Sequence, residues 1–244
     1  MQKHYIIGDV HGEYETLLAL IERLPKDAKV IFVGDLIDRG LQSAEVVKLV
    51  RTSGYECVMG NHEQEMVDVG ISITNELLEN EVVDVTHDWF TFGGIETLVS
   101  YGLLSKYQDG FQFVRDVKAI EQFKDDIRWM KKLPLYLEVD TKHHSTKKVV
   151  VSHSNITKVW HLRDDEKKVE KFKDIVLWTR DLEPLDEVNI FNIYGHSPVQ
   201  NGAREEKNYI NLDTGCCFSM EEGYGVLTAY CVETGEIVTK VKAY

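Results

Sequence analysis

Three short motifs near the N-terminus carry side chains that can bind divalent metal ions, and each motif follows an apolar run. The motifs read GDVHG at 8–12, GDLIDRG at 34–40 and GNHE at 60–63. They offer Asp9 and His11, then Asp35, then Asn61. Short apolar runs are typical of buried strands, and the carboxyl ends of neighbouring parallel strands meet at one edge of a sheet. The pattern therefore predicts that these side chains lie together.

Two later histidines also follow apolar, strand-like runs, namely His153 after 149–151 and His196 after 193–195. A lone GDVHG would be a turn with a capping Asp, and a lone GNHE a helix start. Because the motifs occur together, in order and each at a strand end, they indicate a metal centre with two sites that share one carboxylate. The predicted ligands are Asp9, His11 and Asp35 for one site, and Asp35, Asn61, His153 and His196 for the other. Mixed oxygen and nitrogen ligands suit Mn, Fe or Zn better than Ca or Mg.

Strand and helix patterns alternate through the first 60 residues, and these elements must position the first three motifs. The apolar spacing predicts strands at 4–8, 29–33 and 55–59, with helices at 13–24 and 43–50. A strand–helix–strand–helix–strand series implies parallel pairing with right-handed crossovers. Ligands are expected at the carboxyl ends of such strands, where the motifs lie.

The pattern from about 63 to 133 is mostly helical, with few strand signals, and predicts a helical insertion packed beside the sheet. Strand character then returns at 135–139, 149–153, 188–194, 209–212, 225–232 and 236–242. We therefore expect a single domain over 1–244 of the α+β class, in a four-layer α/β arrangement. Two mixed sheets would pack as a sandwich flanked by helices.

Composition and charge narrow the class of partner. The chain has a net charge of −13, and 43% of its residues are hydrophobic. It lacks the basic field that nucleic acids or anionic membranes attract, so neither is an expected partner. Its cysteines form no CxxC pattern, which predicts reduced thiols. The N-terminus shows no signal-like segment and no apolar stretch reaches about 20 residues, so we expect a soluble, cytoplasmic protein.

The motif set resembles the signature of the phosphoprotein-phosphatase family of binuclear metallophosphoesterases. VSH at 151–153, LWTRD at 177–181 and GHSP at 195–198 are similar to the remaining family motifs, in order. NLDTG at 211–215 and the Trp89…Gly93-Gly94…Thr97 element resemble the shorter bacterial and bacteriophage-lambda-phosphatase-like branch. This resemblance implies the metallo-dependent phosphatase fold and hydrolysis with two divalent ions, Mn²⁺ first, with Fe or Zn as alternatives.

Details of the motifs favour one branch of that family. Ser197-Pro198 follow His196 where other metallophosphoesterases often carry GHxH, which disfavours the nuclease and cyclic-nucleotide branch. Symmetrical diadenosine tetraphosphate hydrolases resemble the chain overall, but typically lack an aspartate matching Asp38 and carry GNHD. Asp38 and Glu63 therefore favour the protein-phosphatase type. One departure is Ser154-Asn155, where the family commonly has Ala-Gly.

The residues and the resemblance together predict an in-line attack on phosphorus by a hydroxide that bridges the two ions. Arg39 and Arg180, with Asn61, are expected to bind the phosphate. His62 is expected to protonate the leaving group, with Asp38 holding its ring. The expected substrate is a phosphoserine or phosphothreonine protein or peptide, and the alternative is a dinucleoside polyphosphate or another nucleotide. A metal-bound scaffold that binds phosphorylated partners without turnover is a further alternative.

Other polar and aromatic residues are predicted to have structural roles. His4, His87, His143, His144 and His161 are interpreted as surface or packing histidines. Trp89 and Trp178 are predicted to be core or pocket-wall residues, and Asp213 to support the loop beneath the metals. The charged run from 163 to 173 is interpreted as a solvated face.

Overall fold

The computed structural model describes residues 2–79, 81–108, 110–141, 143, 145–180, 185 and 188–243. Its strands are β1 (His4–Ile7), β2 (Lys29–Phe32), β3 (Glu56–Cys57), β4 (Leu104–Tyr107), β5 (Gly110–Phe113), β6 (Tyr136–Val139), β7 (Lys148–Ser152), β8 (Ile190–Tyr194), β9 (Tyr209–Asn211), β10 (Val226–Cys231) and β11 (Ile237–Val241). Its α-helices are α1 (Tyr14–Ile21), α2 (Ser43–Thr52), α3 (Asn61–Glu79), α4 (Gly94–Ser100), α5 (Val117–Met130) and α6 (Val169–Trp178). Among these helices, none is both long and apolar enough to cross a bilayer.

The first sheet has the order β11-β10-β1-β2-β3. β1 pairs with β2, and β2 with β3, in parallel, which confirms the pairing predicted from the alternating elements. β10 and β11 then join the β1 edge in antiparallel fashion. β3 is shorter than predicted because the backbone N–H of Met59 donates to the carbonyl of Pro134 (2.8 Å), which takes it out of the ladder just before the GNHE motif.

The second sheet has the order β6-β7-β8-β9. β6 and β7 are antiparallel, while β7, β8 and β9 run parallel. The loops that follow β7 and β8 carry His153 and His196 and therefore leave the sheet at the same edge. The backbone N–H of Gly195 donates to the carbonyl of His153 (2.9 Å), which ties the two loops together.

The two mixed sheets pack face to face, as the sequence predicts. Alternation along each strand sends one set of side chains into the space between them. That set comes from both sheets and includes Ile6, Ile31, Val33, Val58, Val149, Val151, Phe191 and Ile193. The alternate residues of the first sheet pack against α1 and α2, and Val150 packs against Phe172 and Val176 of α6. The layers thus run helix, sheet, sheet, helix.

The segment between 63 and 133 contains α3, α4 and α5, but it also contains the antiparallel hairpin β4–β5, which the sequence reading missed. Most side chains of this hairpin are exposed, so its strands lack the buried face that produces a readable alternation. α3 and α5 pack closely because Gly70 lies against Ile127 and Phe123, where a Cβ would come within 2.6 Å and 2.9 Å of their side chains.

The charged run from 163 to 173 is largely a solvated face, as predicted, with most of its residues exposed. Its second part forms the start of α6, and Phe172 is fully buried against the second sheet. Charged residues on the outer face of this helix hide its apolar stripe in the sequence.

Candidate metal centre

The loops after β1 and β2 are joined at the edge of the first sheet. The carbonyl of Asp35 accepts from the backbone N–H groups of Val10 (3.0 Å) and His11 (2.9 Å), and the carbonyl of Leu36 accepts from Gly12 (2.8 Å). Asp35 and His11 both have positive φ angles, 50° and 47°, and so does His196, at 71°. Left-handed backbone is uncommon for these residue types and costs free energy, and it is often found at functional sites.

Four of the predicted ligands meet in one buried group. The Oδ1 atom of Asn61 lies 2.9 Å from His153 Nε2 and 2.9 Å from His196 Nδ1, and these two nitrogens are 3.0 Å apart. Asp35 Oδ1 lies 3.4 Å from His153 Nε2. Asp35, His153 and His196 can each direct a ligand atom to a common point, since these atoms lie within 4.8 Å of one another.

Backbone carbonyls fix the tautomers of two of the predicted ligand histidines, His153 and His11. His153 Nδ1 lies 2.9 Å from the carbonyl of Val33, and His11 Nδ1 lies 2.9 Å from that of Ile37. A carbonyl oxygen only accepts, so each Nδ1 carries the proton and donates it. In the neutral ring, the lone pair is then on Nε2, which faces the interior of the site. This arrangement is the usual one for metal-binding histidines.

A second group of side chains lies on the other side of Asp35. Its potential ligand atoms, which lie within 4.8 Å of one another, come from His11, Asp35 and His62. Asp35 Oδ2 lies 3.6 Å from His11 Nε2 and 3.9 Å from His62 Nε2. The carboxylate of Asp9, predicted to join His11, accepts from the backbone N–H of His196 at 3.0 and 3.3 Å. The structure thus places Asp9 against the loop after β8 and brings His62 beside the bridging carboxylate.

The protonation behaviour of this cluster fits bound cations. Burial lowers the pKa of His196 to about 3 and also lowers the pKa of His153, so both rings are neutral and able to act as ligands. Burial raises the pKa of Asp213 to about 6, and burial together with the charges of Asp213 and Asp35 raises the pKa of Asp9 well above its usual value. Divalent ions bind where neutral nitrogens converge and where buried carboxylates lack a compensating positive charge. This cluster has both features.

Asp35 differs from the other buried acids of the site. Burial acts to raise the pKa of its carboxyl, but the surrounding histidines, His153 first and then His62 and His11, hold that pKa well below its usual value. Asp35 is therefore the residue that stays ionised at the centre of the cluster. Its two oxygens face the two different groups, which is the geometry of a bridging ligand.

His62 and Asp38 form a buried pair beside this centre. His62 Nδ1 donates to Asp38 Oδ2 at 2.6 Å, so its Nε2 faces the site. Asp38 also accepts from Trp89 Nε1 (2.9 Å) and from the Thr97 hydroxyl (2.6 Å). Burial opposes the effect, but the charge of Asp35 and the hydrogen bond to Asp38 raise the pKa of His62.

Trp89 and Thr97 were not assigned a role from sequence beyond packing and family resemblance. Both come from the segment between 63 and 133, and their hydrogen bonds to Asp38 connect this segment to the partner of His62. The only signal in the sequence was the Trp89…Gly93-Gly94…Thr97 element itself. Trp89 is buried as predicted, whereas Trp178 is 42% exposed and lies outside the core.

Glu63 has a structural role that the sequence reading did not assign. Its carboxylate accepts from the backbone N–H groups of Asp35 (2.8 Å), Leu36 (2.8 Å) and Gly60 (3.1 Å). Burial, reinforced by the charge of Asp35, raises the pKa of Glu63 to about 7. This side chain therefore ties the second motif to the third and fixes the backbone at Asp35.

The two predicted phosphate-binding arginines approach the centre from different elements. Arg39 Nη1 lies 2.6 Å from His11 Nε2, and its Nη2 lies 3.1 Å from His62 Nε2. Arg180 is exposed and donates to the carbonyl of His196 at 2.9 Å. Asp181, the last residue of the LWTRD motif, lies outside the described residues. A guanidinium beside each group of candidate ligands suits a phosphate with several oxygens.

The remaining histidines have packing or surface roles. His4 is buried and pairs with Glu233 at 2.7 Å, and His143 stacks on Phe191 with ring centroids 3.8 Å apart. His87 accepts from the backbone N–H of Trp89 (3.1 Å), and His161 is exposed. His144 lies outside the described residues. All four cysteines are free thiols, as predicted.

Comparison with known proteins identifies the family and the architecture. The sequence profile of the calcineurin-like phosphoesterases matches residues 3–222. The chain belongs to this family. The family assignment makes the chain a phosphoesterase and sets aside the non-enzymatic scaffold, and it confirms the metallophosphoesterase resemblance that the motifs indicated.

Two curated relatives and one solved structure illustrate the range of this phosphoesterase family. The asymmetrical bis(5'-nucleosyl)-tetraphosphatase PrpE of Halalkalibacterium halodurans is 32% identical, over 92% of this chain and 87% of its own. Serine/threonine-protein phosphatase 2 of Salmonella typhimurium is 28% identical, over 86% of each chain. A protein serine/threonine phosphatase from Saccharomyces cerevisiae has the same fold, with a TM-score of 0.53 at 15% identity over 100% of this chain and 80% of its own.

Proposed function

We propose that this phosphoesterase hydrolyses dinucleoside polyphosphates at a binuclear metal centre that uses Mn²⁺. The observation that carries the metal centre is the convergence of Asn61, His153 and His196 on one side of Asp35, and of His11 and His62 on the other. The substrate class rests on the relatives, because two asymmetrical bis(5'-nucleosyl)-tetraphosphatases match the chain at 32% and 30% identity, against 28% for the protein phosphatase. This proposal replaces the phosphoprotein as first choice.

The chemistry supplied by two bound divalent ions is a lowered pKa of water and neutralisation of phosphate charge. Asp9, His11, Asp35, Asn61, His153 and His196 would hold them. Arg39 and Arg180 bind the phosphate oxygens, and Asn61 supports the phosphate from the ligand cluster. Charge that develops on those oxygens in the transition state is then met by guanidinium groups already in place.

His62 transfers a proton to the leaving oxygen through Nε2, because its Nδ1 is occupied by the hydrogen bond to Asp38. Asp38 in turn is held by Trp89 and Thr97, so the ring of His62 has one orientation. Both substrate classes can use this arrangement, but the proton matters most for the alkoxide that leaves a phosphomonoester, because the phosphate that leaves a phosphoanhydride is a weaker base.

A phosphoserine or phosphothreonine protein is the second candidate. It is favoured by Asp38 and Glu63, the two residues that the motif comparison associated with the protein-phosphatase type, and both are buried in supporting positions. The relative from Salmonella typhimurium points the same way.

The deciding experiment compares substrates on one preparation. Metal-free protein is titrated separately with Mn²⁺, Zn²⁺, Fe²⁺ and Mg²⁺, and kcat/KM is measured for diadenosine tetraphosphate, a phosphoserine peptide and p-nitrophenyl phosphate. We expect Mn²⁺ to activate most, and kcat/KM for diadenosine tetraphosphate to exceed that for the peptide by about tenfold or more. Such a ratio corresponds to about 1.4 kcal/mol of transition-state discrimination.

Matched variants test the assignment of the centre. Asp35→Asn is expected to lose metal and activity together, whereas Asp27→Asn, at an exposed site, is expected to retain both. Product analysis separates symmetrical cleavage to two nucleoside diphosphates from asymmetrical cleavage to a mono- and a triphosphate. A higher kcat/KM for the phosphopeptide would overturn the nucleotide proposal in favour of the protein substrate.

A further inference from the structure

A large cleft beside the candidate metal centre is lined mainly by apolar side chains, and five of these are phenylalanine rings. Its volume is about 950 Å³, and its walls include Phe90, Phe92, Phe111, Phe113 and Phe218. We refer to it as the aromatic cleft. Small-molecule sites typically measure about 300–1,000 Å³ and are lined mostly by apolar and aromatic groups with a few polar ones. The aromatic cleft therefore has the size and composition of a ligand site.

The aromatic cleft is continuous with the phosphate-binding region because Arg39 belongs to both. Arg39 lines the cleft, its Cζ lies 5.2 Å from the centre of the Phe218 ring, and its guanidinium nitrogens contact His11 and His62. The backbone N–H of Arg39 donates to the carbonyl of Gly93 on the cleft wall (3.3 Å). A Cβ at position 93 would lie 2.5 Å from the Arg39 nitrogen, so this wall and the arginine are in direct backbone contact.

The chemistry of the lining selects among occupants. Phe92 and Phe111 are 53% and 49% exposed, so two rings on different segments are accessible to a ligand in the cleft. Among the described lining residues, the polar side chains are those of Arg39, Thr91 and Glu96, and the Thr91 hydroxyl donates to the carbonyl of Asp88 (2.7 Å). A peptide backbone would find few hydrogen-bonding partners here. A flat heterocycle needs few, and Glu96 can accept from an exocyclic amino group.

We propose that the aromatic cleft binds the base of a nucleotide whose phosphate is held at Arg39. The base stacks on the phenylalanine rings, and Glu96 favours bases with an exocyclic amine, such as adenine, over those without one, such as uracil. The proposal rests on the proposed function for its substrate class, and it goes beyond it by locating the residues that recognise the nucleoside.

The first test measures KM for diadenosine tetraphosphate in Phe111→Ala, with Tyr107→Ala as the matched control. Tyr107 lies on the same hairpin, is 56% exposed and is not among the cleft residues. We expect KM to rise about tenfold in Phe111→Ala, in the range that loss of one base–aromatic stack produces, and to stay unchanged in Tyr107→Ala. Hydrolysis of inorganic tripolyphosphate, which has no base, should be the same in all three proteins. Equal KM values for diadenosine tetraphosphate would overturn the proposal and leave the proposed function intact.

Direct binding separates the cleft from catalysis. Adenosine 5'-monophosphate is titrated into the Mn²⁺-loaded protein by calorimetry, and we expect a Kd about tenfold weaker in Phe111→Ala than in the wild type or in Tyr107→Ala. This result would support the cleft even if diadenosine tetraphosphate were not hydrolysed, so failure of the proposed function and failure of the cleft are distinguishable. An effect of Phe111→Ala on phosphopeptide KM without any effect on nucleotides would assign the cleft to peptides and refute the proposal.

Base selectivity tests the role of Glu96. The wild type is expected to prefer diadenosine over diuridine tetraphosphate in kcat/KM, and Glu96→Leu is expected to reduce that preference severalfold. Leu is of similar size but has no acceptor oxygen, so the variant removes the hydrogen bond without emptying the site. An unchanged preference in Glu96→Leu would refute the contact between Glu96 and the base.

Discussion

Each histidine of the centre is oriented by an oxygen on the nitrogen that faces away from the site, except His196. His11 and His153 donate to backbone carbonyls, and His62 donates to the Asp38 carboxylate. A carbonyl partner leaves a neutral ring suited to metal binding, whereas a carboxylate partner favours the protonated ring. The outer hydrogen bond to Asp38 therefore sets His62, the proposed proton donor, apart from His11 and His153, although all three are buried in the same cluster.

Replacement of His62 tests its role as proton donor. We expect His62→Ala to lower kcat by about 10²–10⁴-fold with metal content unchanged, because only the proton transfer is lost. The loss should be larger for a substrate with a poor leaving group than for p-nitrophenyl phosphate, whose leaving group needs little protonation. Steady-state kinetics and metal analysis on the same samples provide the measurement.

The matched control for this variant is His161→Ala, at an exposed histidine away from the cluster. It is expected to behave as the wild type in both assays. Near-normal turnover of a poor-leaving-group substrate by His62→Ala would remove His62 from the mechanism.

At the scale of elements, the segment between the third motif and the second sheet is joined to the pair formed by His62 and Asp38. The short turn Asp88–Phe90 supplies Trp89, α4 supplies Thr97, and both donate to Asp38 after β2. Asp38 has a positive φ of 72°, and its backbone N–H donates to Thr97 and Ser43, at 3.0 and 3.1 Å. This segment thus holds Asp38 in place, and it also forms a wall of the aromatic cleft.

Trp89→Phe tests this positioning role. The ring stays in the core while the N–H to Asp38 is lost, so we expect kcat to fall about tenfold, equivalent to about 1.4 kcal/mol. The pH profile of kcat should shift as well, because Asp38 both orients the ring of His62 and favours its protonated form. Kinetics across pH provide the measurement.

Trp129→Phe serves as the control, since Trp129 packs on the same core from α5 but is remote in sequence from the Asp38 contacts. We expect a similar loss of thermal stability in both variants and a change of kcat and pH profile in Trp89→Phe alone. Identical kinetics in the two variants would show that Trp89 has only a packing role.

A second connection between elements joins β1 and the turn after β10, its neighbour in the first sheet, to the loop after β6. Glu233, after β10, accepts from the backbone N–H of His4 (3.0 Å), from His4 Nδ1 (2.7 Å) and from the Thr141 hydroxyl (2.7 Å). Burial acts to raise the pKa of Glu233, but the hydrogen bonds from His4 and Thr141 lower it below its usual value of 4.5. The ionised carboxylate is therefore the form that the folded protein favours.

The sign of this shift predicts a pH-dependent stability. A depressed carboxyl pKa contributes stability that is present above the unfolded value and is lost as pH falls through the folded value. We expect Glu233→Gln to lower the free energy of unfolding by about 1 kcal/mol at pH 7, since the site is partly exposed, and by progressively less below about pH 4.5. Urea unfolding at several pH values measures the difference. The exposed Glu166→Gln should show no such trend, and a constant difference for Glu233→Gln down to pH 3 would contradict the linkage.

At the scale of the whole molecule, two sheets from different parts of the chain bring their carboxyl edges to one place. The first sheet delivers Asp9, His11, Asp35 and the loop to Asn61, and the second delivers His153 and His196. The centre is thus built across the sandwich, and bound ions would join its two halves. A ligand that binds only the folded state stabilises it by mass action.

Metal removal is therefore expected to lower thermal stability. At metal concentrations about 100-fold above Kd the stabilisation is about 2.7 kcal/mol, which corresponds to roughly 5–10 °C in Tm for a chain of this size. Differential scanning calorimetry with chelator and then with added Mn²⁺ measures the shift. Asp35→Asn should show no Mn²⁺-dependent shift, and a metal-dependent Tm in that variant equal to the wild type would contradict the bridging role.

The sequence by itself determined much of the centre and of the sheet that carries it. Apolar runs followed by Asp9, Asp35 and Asn61 predicted three strands in parallel order with polar side chains at their carboxyl ends, and the structure has these strands and this edge. The same reasoning placed His153 and His196 beside Asn61. These predictions succeed because the period of a buried strand and the geometry of parallel pairing are local or nearly local properties.

Only the tertiary structure decided which distant groups complete the site. It turned Asp9 towards the backbone of His196, brought Trp89 and Thr97 to Asp38, and set Phe218 opposite the β4–β5 hairpin to form the aromatic cleft. It also placed β10 antiparallel beside β1. These contacts join residues far apart in the chain through hydrogen bonds and packing that leave no period in the sequence. The ligands could therefore be predicted from their own segments, whereas their supports and the walls of the cleft depend on how the layers pack.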